Sequence, residues 1–204
     1  MSAGGDSMAS GAMNVVIENY RELTRDIENI NKQSKKAVQR TISDFKSRGP
    51  GWVSQEVVKE YNIKKKDINE AKKGVRKGGN KIRIAGTSVD NLSIVYQGRL
   101  LTPTHFGMKP TSRPAKNKPY VVSAQIKKGG GRKALGHKVF LGQAPNGVNL
   151  PFQRRGDARY PIDVIKTVSV PQMVTNEKVA EQIQTRVGQE LGKRLDHHLK
   201  NLVK

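Results

Sequence analysis

Apolar residues Val16, Tyr20, Leu23, Ile27, Ile30, Ala37 and Phe45 recur at spacings of three and four, with polar Ser34 and Thr41 filling the seam. This pattern predicts one long helix over 13–48 with a narrow, coiled-coil-like stripe, ending at Gly49-Pro50-Gly51. A narrow stripe suits one partner helix, from this chain or from another copy. Residues 52–73 predict a short helical pair broken near Asn62. The period then changes to two, and strands are expected at Lys81–Gly86, Leu92–Tyr96, Tyr120–Ile126, Val139–Leu141 and Leu150–Phe152, with another from Ile162 to Val170. Turn signals separate them: Gly78-Gly79-Asn80, Gly129-Gly130-Gly131 and Pro145-Asn146-Gly147. The stretch Thr102–Pro119 holds Pro103, Pro110, Pro114 and Pro119 and reads as an extended surface loop, ordered only on docking to a neighbour. Val179, Ile183, Val187, Leu191, Leu195 and Leu199 return every four residues, so 175–203 predicts a C-terminal helix capped by Thr175 or Asn176. Its Gly188 and Gly192 imply a close backbone approach.

The expected fold class is α+β: an antiparallel β-sheet flanked by long N-terminal and C-terminal helices, with the helical pair before the sheet. It forms a single domain over 13–204 behind a flexible leader at 1–12 whose small polar residues form no apolar signal core. Met1, Met8 and Met13 are all plausible starts. The chain has 204 residues, of which 35% are hydrophobic and only 5% aromatic, so the core is modest and oligomer contacts are expected to add to it. The stripe residues Leu23, Ile27, Ile30, Leu191 and Leu195 are the candidates for those contacts.

Charge changes this picture most. Between Lys72 and Arg155 stand eighteen Lys and Arg and a single acid, Asp90, whereas both flanks are nearly balanced. Such a field opposes compaction unless a polyanion or an acidic protein surface screens it. DNA is the obvious partner, since neutralised phosphates release counterions whatever the sequence. Lys127, Lys128, Arg132 and Lys133 bracket the triple glycine, Lys138 follows, and Arg154 and Arg155 end a strand; these are the candidate contacts to DNA or an acidic partner. A solvated basic surface is the plain alternative.

Other chemistry finds little support. With no cysteine in the chain, disulfides and thiolate sites are excluded. Neither Gly129–Gly131 nor Gly142–Gly147 continues into the Gly-Lys-Ser/Thr of a phosphate loop, and hairpin turns are expected at both. His105, His137, His197 and His198 are not joined by carboxylates at ligand spacing, and no triad context surrounds the serines, so no catalytic residues, metal or cofactor are assigned. No apolar run is long enough to span a membrane. Stacking aromatics are scarce in the basic loops, which disfavours a platform for single strands. Val58, Asn62, Ile63, Ile68 and Ala71 fit helix-turn-helix spacing, and Lys64, Lys65, Lys66, Lys72 and Lys73 would face phosphates. A DNA-binding regulator using 54–73 is thus the alternative reading, although Asn69 is the only amide there to read bases.

A series of phrases points to a family. Leu101-Thr102-Pro103-Thr104-His105-Phe106 is followed by Ala134-Leu135-Gly136-His137-Lys138-Val139-Phe140-Leu141. Then come Leu150-Pro151-Phe152-Gln153-Arg154-Arg155-Gly156, Tyr160-Pro161-Ile162 and Thr167-Val168-Ser169-Val170-Pro171-Gln172-Met173-Val174, and the last helix. Together with Val57–Ile68, this order resembles the bacteriophage and prophage minor tail protein Z family from roughly Ile42 to Lys204. The resemblance implies a non-enzymatic structural protein of a long-tailed phage virion, made in the host cytoplasm and associated with tail completion. Its implied partners are copies of itself in a ring, possible as a hexamer on a six-fold tail, and other tail or neck proteins. The resemblance transfers no catalytic residues.

Overall fold

The computed structural model describes residues 31–69, 81–115, 118–136 and 138–201. The leader and the stripe residues Leu23, Ile27 and Ile30 lie outside the described residues, as do Lys72, Lys73 and His137. Two helices organise the rest: α1 (Asn31–Glu60) and α4 (Glu177–Lys200) pack along each other. They run antiparallel, because Asp44 meets Arg194 and His198, Gln55 meets Arg186, and Glu60 meets Lys178.

Helix α1 does not stop at Gly49-Pro50-Gly51, so the expected division into a helix over 13–48 and a pair over 52–73 is incorrect. Pro50 has no N–H for the Lys46 carbonyl, which normally disrupts a helix interior. Here Lys46 is exposed, whereas Gly49, Pro50, Trp52 and Val53 are buried. Water can solvate the freed carbonyl while the opposite face keeps the helix in place by packing. Gly49 lies directly beneath the strand that carries Ile94, since a Cβ on it would come within 2.9 Å of Ile94 Cδ1. The ring of Trp52 tilts against Phe45 at 6.4 Å. The break near Asn62 is real: Tyr61 leaves the helix, and α2 (Lys65–Asn69) follows with Ile68 buried.

Among the described residues the strands form three small antiparallel sheets, where one was expected. β1 (Lys81–Ala85) pairs with β2 (Ser93–Gln97), and β3 (Ser123–Ala124) pairs with β4 (Lys133–Ala134). β5 (Val139–Gln143), β6 (Asn149–Arg154) and β7 (Ile162–Val164) make the third sheet. Only Ser123–Ala124 of the expected Tyr120–Ile126 strand pairs as one, because Gln125 donates to Phe106 and Asn62 to Ile126 instead. The Ile162–Val170 strand ends at Val164, and α3 (Val170–Val174) begins with a cap: Ser169 Oγ accepts from Gln172 N at 3.3 Å. Pro171 sits at the start of α3, where a missing N–H costs nothing.

The main core lies between α1, α4, α3 and β2, and contains Phe45, Val53, Ile94, Tyr96, Met173, Ile183 and Leu191. A second, smaller core gathers Met108, Val122, Val139 and Leu141 beneath the third sheet. The proline-rich stretch is therefore no simple surface loop. Pro103, Phe106 and Met108 are buried within this one chain, and Lys109 exchanges backbone hydrogen bonds of 2.8 Å with Ser123. Leu191 and Leu195, expected at an oligomer contact, are 0% and 3% exposed in the single chain. Their stripe meets α1 in cis, so they offer no free surface to a second copy. At Gly188 a Cβ would meet nothing within 4 Å among the described residues.

Candidate nucleic-acid interface

The connection between β3 and β4 carries Lys127, Lys128, Arg132 and Lys133, and the glycine run between them turns the chain as expected. Gly130 N donates to Lys127 O at 3.3 Å, and Gly131 takes φ +66°. The loop is anchored to the end of α1: Lys128 N donates to Glu60 O at 2.9 Å, and Tyr61 bridges Lys127. Lys127 Nζ stands 4.0 Å from a Glu60 carboxylate oxygen and 5.8 Å from the centre of the Tyr61 ring. Glu60 also accepts from Lys178 at 2.9 Å, and that bond, with the two lysine charges, holds its carboxyl below the usual range. Arg132 is a structural brace, donating to the Gly107 carbonyl at 2.7 Å and to Ser123 at 3.5 Å. Lys128 and Lys133 are exposed and have no side-chain partner among the described residues.

The remaining candidates lie on or beside the third sheet. Lys138 pairs with Asp157 at 2.9 Å, but that carboxylate is 97% exposed, so water screens the pair. Arg155 forms a two-point bond with Asp163 at 2.6 and 2.9 Å, which raises the guanidinium pKa and lowers that of the carboxyl. It is thereby spent on a neighbour. Arg154, one residue earlier, points to the opposite face of β6, as alternation requires. Its guanidinium lies 5.2 Å from the centre of the Phe140 ring.

That face carries features the sequence reading missed. Phe140 and Phe152 are directly opposed on β5 and β6, and their rings stack at 6.0 Å with 25° between planes. Gly142 leaves room for the Phe152 ring, since a Cβ there would approach it to 3.0 Å. Beside them opens a cleft of about 470 Å³ whose polar lining is Arg113, Lys138, Arg154 and Arg159. Val139, Phe140, Tyr160 and Ile162 complete it, with no carboxylate in the lining. Tyr160 is 65% exposed, with the Arg159 guanidinium 5.7 Å from its ring centre. The strand alternation Phe140–Gly142 against Leu150–Phe152–Arg154 was the available signal: it separates an aromatic and cationic face from the Val139–Leu141 core face.

The helix-turn-helix geometry gains nothing from the structure. Asn69, the one amide for reading bases, donates to Ser54 Oγ at 2.8 Å. Asp67 holds His105 at 3.2 Å, docking α2 against the following loop. Among the described residues no group of three or more His, Asp or Glu is placed to hold a metal ion, and no helix is long and apolar enough to cross a membrane.

Comparison with known proteins decides the family. The family model for prophage minor tail protein Z (GPZ) matches residues 11–204. The chain belongs to that family. The match starts well before Ile42, so the first helix is part of the family pattern as well. No curated protein and no solved structure matches the chain. A prophage minor tail protein is a component of the virion tail, and the α+β fold here is that of a family member.

Proposed function

We propose that this chain is a non-enzymatic tail-completion protein that assembles with copies of itself as a ring at one tail end. It meets neighbouring tail or neck proteins there and contacts DNA without reading its sequence. The observation that carries this reading is the β3–β4 connection, where Lys128 and Lys133 stand exposed without side-chain partners among the described residues, beside Lys127. Lysine heads on a glycine-rich turn supply charge to phosphates and discriminate no base. Lys138 and Arg154 extend the field, while Arg132 and Arg155 shape it through their own bonds. Because the Leu191 stripe is buried within the chain, Leu23, Ile27 and Ile30 are the residues proposed for the ring contact.

The test is mass by light scattering at low and high salt, with and without duplex DNA of unrelated sequences. The expected result is a closed oligomer, or assembly driven by any duplex and reversed by salt. A stable dimer selecting one duplex would overturn the reading in favour of a regulator. In a second arm, Lys128→Glu with Lys133→Glu is expected to weaken duplex binding and flatten its salt dependence. Failed assembly with unchanged DNA binding would instead assign the basic loop to an acidic tail protein.

A further inference from the structure

We propose that the cleft on the outer face of the third sheet binds an unpaired nucleic-acid strand, with Arg113, Arg154 and Arg159 on its phosphates and Tyr160 stacked on a base. The inference rests on the reading that this protein meets nucleic acid, and it adds a second, differently shaped site.

Three observations carry it. The cleft lining holds four cations and no acid, and among the described residues only Lys138 of the four is paired, with Asp157, so three guanidinium groups are left for an anionic ligand. Two of its guanidinium groups already lie over rings, Arg154 at 5.2 Å from the centre of Phe140 and Arg159 at 5.7 Å from that of Tyr160. A guanidinium attracted to a ring in this way still has N–H donors to offer a phosphate. Finally, Tyr160 is 65% exposed although it is a large aromatic side chain, which leaves ring surface for a ligand. A duplex has no free base faces to offer such a ring, whereas an unpaired strand presents one at every nucleotide. An acidic peptide would satisfy the arginines but would leave the tyrosine face unused, so the strand is the better complement. The cleft and the β3–β4 loop thus divide the work: flexible lysines for the duplex backbone, arginines and an exposed aromatic ring for a single strand.

The experiment is fluorescence anisotropy of the full chain with a labelled oligothymidylate of about ten nucleotides, a duplex of equal charge and polyglutamate as competitor. Arg113→Ala with Arg159→Ala, and separately Tyr160→Ala, are expected to weaken oligothymidylate binding by about ten-fold or more while leaving the duplex nearly unchanged. Tyr160→Phe should keep the affinity, because stacking needs the ring and not the hydroxyl. These side chains are exposed, and unchanged circular dichroism melts will show that the variants fold. Unchanged oligothymidylate affinity in the variants overturns the proposal, as does wild-type protein with no greater affinity for the single strand than for the duplex. Displacement by polyglutamate at matched charge also overturns it, in favour of an acidic protein partner. Retained duplex binding in any of these cases leaves the proposed function standing, whereas no binding to either nucleic acid removes both.

Discussion

Replacing Leu191 with Ala distinguishes a helix stripe that stabilises the single chain from one that joins copies. Leu191 is fully buried between α4 and α1, in the same core as Ile183, Val187 and Phe45. Removing its terminal carbons forfeits their transfer free energy and leaves a void, at a combined cost of about 3–5 kcal/mol. The upper part of that range applies here, because two long packed helices cannot collapse locally into the gap. Against a domain stability of about 5–15 kcal/mol the loss is severe but survivable. With a urea slope of about 2 kcal/mol per molar, the midpoint should fall by about 2–2.5 M. The assay is urea denaturation followed by circular dichroism over a hundredfold range of protein concentration. An intramolecular core residue produces the same shift at every concentration. A shift below about 0.5 M, or one that grows on dilution, would refute the placement of Leu191 in the chain's own core.

Two further outcomes follow from particular side chains. Tyr96 is 1% exposed, its hydroxyl has no hydrogen-bond partner among the described residues, and burial pushes its pKa upward. Tyr96→Phe should therefore raise stability by about 1 kcal/mol, read by thermal melting, and a loss of that size would show that the hydroxyl is satisfied. The Glu60 carboxyl lies below its ordinary value of 4.5 because Lys178 donates to it and two lysines surround it, so its stabilisation is present above that pH and is lost as pH falls through the folded value. Glu60→Gln should make stability depend less steeply on pH just below 4.5, and an unaltered acid limb in urea titrations would show that these ion pairs contribute nothing.

Periodicity made the two long elements legible. Val179, Ile183, Val187, Leu191 and Leu195 are all buried on α4, at the spacing their sequence gives. Ala37 and Phe45, with Ser34 and Thr41 in the seam, are likewise buried on α1. What periodicity lacked was the partner, since a stripe looks the same whether it packs in cis or in trans. Gly49-Pro50-Gly51 misled for a related reason: local propensity opposes a helix there, but packing against Ile94 and α4 outweighs it. Gly142 and Phe152 show the limit for the candidate site. Residues ten apart become neighbours only through the register of a hairpin, so the aromatic face beside Arg154 was invisible in loop composition. Ser169-x-x-Gln172 was a missed local signal, because a hydroxyl three residues before an amide is the mark of a helix start.

The central claim is that this protein is built into the virion tail as a closed set of copies. Quantitative mass spectrometry of purified phage particles, using labelled peptides from α4 as standards, tests it most directly. The account predicts a fixed number of copies per particle, a whole multiple of the rotational symmetry of the tail, retained through high-salt washing. Absence from intact particles, or a variable amount stripped by salt, would contradict it.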